Sequence, residues 1–600
     1  MIELPYGIAD FHRIRTRGML YVDRTSYLGE VERLGDVLVF LRPRRFGKSL
    51  WLQTLANYYD LRQEGEFDAL FGGLAAGRDP TPLANRFFVL QWNLSEIDAG
   101  GGVERIAESI REHVSSRAKI FALDYDGHLP AAVNTAASPA AVLDSLLSVV
   151  RKTPFKLYLL IDEYDNFVNE VMVQDADTYR ALFGRAGPYK ELFKSVKTAT
   201  EGQGLERVFV TGVSPVALND LTSGFNNAED VSLKPALAAL CGFRRQEIEV
   251  LLESIAAERE LSPETVAQAL DTMRTWYDGY RFATSGDELL YNPTNALYFL
   301  KSFYLDGTPP EELHDENLRT DRDKLAFLGR TAAGSGVIEK LMEGDGVIDV
   351  PRLVTSFSLD DLTARLAKDR GAVASFLYYM GLLTLTDTPR RLRIPNLVVR
   401  KLFLDRLLGI YLPDLADSYE AREIAMGFFR DGDLQPLLDF FEEKLLPIFS
   451  NRDRGAAPRK LGGSGIGVNE MVVKSLFLAV LFDDARYVVS SEVELERRYA
   501  DLCLLVRDEM RSYGFFDVLF EFKLVRRKEL GKKGQELRDM DEAVLRQIGA
   551  VTKAFAEARD QIERYRERLV KITPVTLKLR CYAVVAIGLE RILGEEVTAP

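Results

Sequence analysis

Short apolar runs recur along the first 240 residues, each bounded by longer stretches in which apolar positions return every three or four residues. The runs are DVLVFL (36–41), FFVLQWNL (87–94), KLYLLID (156–162) and RVFVTGV (207–213). A run apolar throughout is a strand covered on both faces, so the pattern predicts a parallel sheet between helices over 1–240. From CGFRRQEIEVLLESIAAERE (241–260) to about residue 450 the pattern turns helical, and GLLTLTDTPRRLRIPN (381–396) reads as a hairpin around Pro389, a small winged element. NRDRGAAPRKLGGSGIG (451–467) breaks the periodicity and reads as a linker. Beyond it come a helix (469–482), strand-like YVVSSEVEL, YADLCLLVR and FDVLFEFKLV, a long charged helical stretch and a last strand, RCYAVVAIGL. Residues 468–600 are therefore expected to form a separate α/β domain.

Length and composition fit this division. Six hundred residues correspond to about four domains as a prior. With 47 % apolar and 28 % charged residues the chain has the balance of a soluble globular protein. The formal charge of −13 argues against a generally basic binder of nucleic acid but averages over local patches. Cys241, Cys503 and Cys581 show no CxxC spacing, and His12, His113, His128 and His314 form no HExxH-like cluster, so neither a disulfide framework nor a zinc hydrolase is indicated. The histidines read as surface or polar-packing residues. No apolar run reaches the length needed to cross a bilayer, and the N-terminal residues carry charges in place of an apolar core; the expectation is a cytoplasmic protein without a membrane partner.

The first candidate chemistry is in VLVFLRPRRFGKSLWLQTLANYY, which runs strand, loop, helix. A phosphate-cradling loop needs backbone N–H groups at a helix N-terminus, a lysine for the terminal phosphates and a hydroxyl for Mg²⁺. Gly47, Lys48 and Ser49 supply these, but the first glycine of GxxxxGK[ST] is replaced by Arg42. About 110 residues later an apolar strand ends in Asp162-Glu163. An aspartate there can hold Mg²⁺ and the glutamate can polarise the attacking water. Thr211 and Ser214, at the end of a third strand, read either as γ-phosphate sensors or as ordinary strand-end capping. Arg44 and Arg45 read as stabilisers of transferred charge in cis, as fingers into a neighbouring copy, or as a basic loop satisfying nearby acids.

These segments resemble the bacterial AAA-ATPase-like family. LPYGIADFHRIRTRGMLYVDRTSYLGEV, LRPRRFGKSL, LIDEYD, TGVSP, CGFRRQEI, TWYDGYRF and YNPTNALYFL carry the resemblance over residues 3–300. The family's loop reads RPRRFGKS and shares the missing glycine. The resemblance implies an α/β P-loop ATPase core (1–240) and a helical lid (241–305) containing Trp276–Phe282 and Tyr291–Pro293; the periodicity beyond it reads as a mostly helical middle region (306–450). It also implies ATP held by Arg44, Arg45, Phe46, Gly47, Lys48, Ser49, Leu50, Asp162 and Thr211, with Mg²⁺ on Ser49 and Asp162. The aromatic lid turn, with Asp278 and Arg281, either caps the nucleotide cleft or packs the lid.

The second candidate is RRYADLCLLVRDEMRSYGFFDVLFEFKLV. Asp501 opens one strand and Glu521-Phe522-Lys523 lies on another, so Glu521 and Lys523 share a face while Phe522 faces the core. If the strands pair as a hairpin, Asp501 sits beside Glu521; two such carboxylates can hold Mg²⁺ and the lysine can orient a water for attack on a phosphodiester. The arrangement resembles the PD-(D/E)XK nuclease superfamily, of restriction-endonuclease-like fold, although Ala500 stands where its name has proline. That resemblance implies Glu470 as a further metal residue and Gln561 as a contact to metal-bound water or the strand being cut, with Tyr565 on the same helix. The long stretch after Lys523 leaves Gln547 as the alternative to Gln561. Residues 522–571 hold 14 Lys or Arg against 9 Asp or Glu, either a flank for a polyanion or a salt-bridged helix face.

The expectation is thus an ATP-hydrolysing P-loop protein coupled to a Mg²⁺- or Mn²⁺-dependent nuclease acting on DNA or RNA, with homo-oligomeric assembly left open. The alternative is a regulatory or scaffolding ATPase whose nuclease-like domain binds nucleic acid or protein without cleaving it.

Overall fold

The computed structural model describes residues 2–598 except 169–170, 172–175, 185–186, 217–224, 226, 284–287, 311, 314–324, 326–327, 329–330, 344–345, 358–364, 413, 448–469, 484–485, 491–492, 495–498, 501, 573–575 and 589. The chain divides into two compact units, Met1–Pro310 with Asp349–Asn396, and Glu311–Ile348 with Leu397–Pro600. The stretch 306–450 contributes to both, and the linker expected at 451–467 lies outside the described residues.

The first unit is built on a parallel sheet. Its strands are β1 (Val37–Leu41), β2 (Phe87–Asn93), β3 (Lys156–Asp162), β4 (Leu205–Gly212) and β5 (Glu229–Asp230), in the order β2-β3-β4-β1-β5. Every residue of β1 is buried, as a strand with helices on both faces requires. The helices include Lys48–Tyr59, Gly102–Asp124, Pro139–Val150 and Pro188–Thr200. Ser138 caps one of these with its side chain, and Pro139 follows at the first helical position. Because β1 lies between β4 and β5, the loop after β1 opens beside the C-terminal end of β4, which in turn adjoins β3.

The segment 349–396 joins this unit with the expected hairpin, in which Leu392 pairs with Leu385 and Arg393 with Thr384. Two glycines mark its close approach to the rest of the unit. Gly279 has φ +119°, and a Cβ there would lie 2.1 Å from the carbonyl oxygen of Pro395; a Cβ on Gly381 (φ +79°) would lie 2.7 Å from Pro43 Cβ.

The second unit contains a mixed sheet of β6 (Tyr487–Ser490), β7 (Leu502–Val506), β8 (Asp517–Val525), β9 (Leu579–Ile587) and β10 (Arg591–Glu596), in that spatial order. Only β8 and β9 are parallel; the other neighbours are antiparallel. RCYAVVAIGL is therefore not the last strand, since β10 follows it. Both faces of the sheet are covered. Phe520 and Phe522 pack with Phe428, Phe477 and Tyr582 on one side. On the other, Leu519, Val525, Cys581 and Val585 pack against Val551, Ala558, Ile562 and Leu569 of the helix Gly549–Ile572. Glu521 and Lys523, two and four residues after Leu519, belong to this helix-covered face. Phe522 does face a core, but the face bearing Glu521 is also packed.

Candidate functional site

The loop after β1 begins at Arg42 and ends at Gly47, which takes φ +90° and caps the helix Lys48–Tyr59. Space does not demand glycine there, because a Cβ would meet nothing within 4 Å; the left-handed backbone does. Lys48 is buried and its ammonium donates to the Pro43 carbonyl at 3.0 Å. Burial pushes its pKa down, opposed by the charges of Asp162, Asp165 and Glu163. Ser49 and Leu50 follow in the first turn, half-buried. Arg44 donates to Asn166 Oδ1 at 3.1 Å, and Arg45 takes a left-handed φ of 66°. Phe46 is buried edge-on against Tyr280 and Phe282, with ring centroids at 4.9 and 5.1 Å. The aromatic turn bearing Tyr280 and Phe282 thus packs against the loop, as do Asn292, whose amide donates to the Arg44 carbonyl, and Thr294, which donates to that of Arg45.

Opposite the lysine, the end of β3 presents its acids. Asp162 Oδ1 accepts from the Glu163 N–H at 3.0 Å and from the Thr211 hydroxyl, which fixes the carboxylate between β3 and β4. Glu163 has φ +50°, a conformation uncommon for a residue with a side chain and often found at functional sites. Burial raises its pKa, reinforced by Asp162 and opposed by Lys48 and Arg44. Asp165 accepts from the N–H groups of Val213 and Ser214 at 3.0 and 2.8 Å and from the Ser214 hydroxyl at 2.9 Å. Gly212 leaves room for this turn: a Cβ there would lie 2.5 Å from the Tyr164 ring. Lysine, Asp162, Glu163 and Thr211 therefore meet across three neighbouring strands, while Ser214 serves the Asp165 network.

In the second unit Glu521 is 2 % exposed, and Lys523 Nζ donates to its Oε1 at 2.8 Å and to the Phe522 carbonyl at 3.0 Å. Asp501 lies outside the described residues. Glu470 is the first residue of the helix Glu470–Leu481. Gln561 is half-buried on Gly549–Ile572, three residues after Ala558 and four before Tyr565, both in the core under the sheet. Gln547 is exposed in the turn between the short helix Glu542–Arg546 and the start of Gly549–Ile572. Among the described residues no group of three or more His, Cys, Asp or Glu is arranged to hold a metal ion.

Residues 5–222 match the family model described as Predicted AAA-ATPase, and residues 468–596 match that of the PD-(D/E)XK nuclease superfamily. The chain joins an AAA-ATPase-like region to a PD-(D/E)XK superfamily region. An uncharacterized protein in the vnfD 5′ region of Azotobacter chroococcum is 26 % identical over 427 residues, 69 % of this chain and 71 % of that protein. Among solved structures the chain is similar to the Walker-type ATPase PABY2304 of Pyrococcus abyssi, at 15 % identity over 63 % of this chain and 94 % of that one, with a TM-score of 0.36. It is also similar to the Aeropyrum pernix ORC1 protein solved in complex with DNA, at 13 % identity over 67 % and 92 %, with a TM-score of 0.26.

Within the AAA-ATPase-like region, sequence reasoning passed over Arg42 as a mere departure and quoted Asp165 only as part of LIDEYD; the partners of both lie far along the chain. In the PD-(D/E)XK region, the basic flank proves extensively ion-paired. Lys532 meets Glu536, Arg546 meets Glu542 and Glu595, Arg559 meets Glu595, Arg564 meets Asp560, and Arg566 meets Glu563. All three cysteines are buried and unbridged, and burial pushes the Cys241 and Cys581 thiols up to about 11. No helix among the described residues is long and apolar enough to cross a membrane.

Proposed function

We propose that the first unit binds and hydrolyses ATP and that this controls a metal-dependent nuclease in residues 468–600 acting on DNA or RNA in the bacterial cytoplasm. The observation that carries the first half is the electrostatic cluster of Lys48 with Asp162, Glu163 and Asp165 at the C-terminal end of adjacent strands. The donor set fits a magnesium nucleotide: an ammonium on the loop, a hydroxyl in the first helical turn, and a carboxylate oriented by two donors. The bound nucleotide and metal supply a labile phosphoryl bond and neutralisation of its charge. In this reading Gly47 and the loop backbone through Leu50 bind phosphate, Lys48 binds the terminal phosphates, and Ser49 and Asp162 hold the metal. Glu163 orients water, and Thr211 positions Asp162. The ATPase core spans 1–240 and the lid 241–305.

For the nuclease, Glu521 and Lys523 lie side by side, and β7 pairs Leu502 with Phe520, the sequence neighbours of Asp501 and Glu521. Asp501, Glu521 and Glu470 hold the metal, Lys523 orients water and Gln561 contacts it. A second reading, regulation or scaffolding without cleavage, is favoured by the ion-paired flank, which leaves less free positive charge for a polyanion. The test is ATP hydrolysis together with cleavage of labelled DNA and RNA by the full chain in Mg²⁺ or Mn²⁺. Lys48→Ala is expected to abolish the first and Glu521→Ala the second. Hydrolysis by Lys48→Ala at the wild-type rate overturns the nucleotide site, and cleavage undiminished by Glu521→Ala overturns the nuclease site.

A further inference from the structure

Arg42 stands where a phosphate loop ordinarily begins with glycine, and it is 1 % exposed. Its Nη1 donates to the carbonyls of Leu41 and Ser232 at 2.8 and 2.7 Å, and its Nη2 to those of Leu237 and Ala238 at 3.0 and 3.4 Å. The guanidinium carbon lies 4.3 Å from the ring centroids of both Phe40 and Phe282. Among the described residues, then, its hydrogen-bond acceptors are main-chain carbonyls and its faces are covered by aromatic rings. Only a planar fork with several donors satisfies both sets of neighbours at once; an ammonium does not.

Phe282 also packs on Phe46, so one ring touches the residue that opens the loop and the residue before its glycine. The turn bearing Phe282 is anchored in turn: the Arg281 N–H donates to the Thr384 hydroxyl at 2.7 Å, and that hydroxyl donates back to the Arg281 carbonyl at 3.1 Å. On the β5 side, Leu41 N–H donates to the Ser232 hydroxyl at 2.8 Å. The loop is thereby fastened at both ends to segments about 190 and 240 residues away.

We propose that Arg42 and Phe282 are positioning residues for the nucleotide: they clamp the loop in its phosphate-binding shape before ligand arrives. This rests on the ATP-binding reading above. A glycine-rich loop loses conformational freedom when it closes on phosphate, whereas a loop already clamped loses less, and the saving appears as affinity. The clamp touches none of the reacting atoms, so its loss weakens nucleotide binding in ground and transition states alike.

The test compares wild type, Arg42→Lys, Arg42→Met and Phe282→Leu for ATP hydrolysis and for binding of a non-hydrolysable ATP analogue with Mg²⁺ by calorimetry. The expected result is a rise of about tenfold or more in both KM and Kd, with kcat changed by less than about threefold, for all three variants including the charge-retaining lysine. A variant that had only lost stability would show less active protein, hence lower apparent kcat at unchanged KM. Phe282→Leu preserves an apolar side chain and carries the test if the Arg42 variants do not fold. Wild-type KM and Kd in the folded variants overturn the clamp alone. A wild-type chain that neither binds the analogue nor hydrolyses ATP overturns the nucleotide reading on which the clamp depends.

Discussion

Replacing Asp165 with alanine tests whether the ends of β3 and β4 are held together as described. The carboxylate accepts from the main-chain N–H groups of Val213 and Ser214, and Asp165 and Ser214 are both buried. Alanine leaves two buried donors without their acceptor, at about 1–3 kcal/mol each, so the expected loss is about 2–6 kcal/mol. Ser214→Ala removes a single hydroxyl contact to the same carboxylate and is expected to cost only about 1 kcal/mol. The assay is urea unfolding of the full chain followed by tryptophan fluorescence. The chain has three tryptophans, and Trp51, Trp92 and Trp276 are all buried in the first unit, so the signal reports on that unit alone. With an m-value of about 3 kcal/mol/M, the midpoint falls by about 0.7–2 M. Because the same turn sets Asp162 against Thr211, ATP hydrolysis falls by about tenfold or more in the variant that remains folded. A midpoint no lower than that of Ser214→Ala would refute the reasoning.

Arg24 and Glu247 make two direct contacts at 2.6 and 2.7 Å, so Arg24→Met destabilises the first unit by about 3 kcal/mol by the same fluorescence signal; the double variant Arg24→Met, Glu247→Leu is expected to regain part of this, and no recovery would show the pair is not the cause. Gly279→Ala brings a Cβ to 2.1 Å from the Pro395 carbonyl and costs at least about 2 kcal/mol, whereas Gly202→Ala, also at positive φ (+80°) but in open space, costs about 1 kcal/mol; equal losses would contradict the steric account. Burial holds the pKa of His113 below its ordinary 6.5, against Glu96, which raises it, and together with Arg117. The unfolded chain therefore takes up the proton first, and the stability tied to His113 is complete above about pH 6.5 and is lost as the pH falls through the lower folded value. Chemical denaturation of wild type and His113→Gln across this range is expected to show a smaller acid-side loss in the variant, and parallel curves would exclude His113 as the cause.

The sheet strands β1 to β4 were legible because each is a buried apolar run between helical periodicities, a contrast that survives without knowledge of tertiary contacts. β5 was not: Glu229-Asp230 is a two-residue polar strand recognised only through its pairing with Leu38 and Val39. β10 was missed for a related reason. RILGEE ends in two glutamates, and polar residues are common on an edge strand, where they discourage further pairing. The two-sided burial of β8 was partly visible in its near-continuous apolar character, but the assignment of one covered face to Gly549–Ile572 and the other to Phe428 and Phe477 depends on elements distant in sequence.

At the candidate nucleotide site the same distinction separates chemistry from support. Lys48, Asp162 and Glu163 could be read because phosphate and metal chemistry prescribes residue types at strand ends and helix starts. Arg42 and Asp165 could not, since their roles are set by carbonyls at 232–238 and N–H groups at 213–214 that no local spacing encodes. Charge counting left two readings open, a flank for a polyanion or a salt-bridged helix face, and could not separate them, because pairs such as Arg546–Glu595 and Arg559–Glu595 draw in an acid from β10 that the window excluded. Each exposed pair contributes little to stability, yet each shortens the reach of its arginine's charge. If this domain takes a polyanion, as proposed above, the positive charge that meets it has to come from cations left outside such pairs rather than from the net charge of the window.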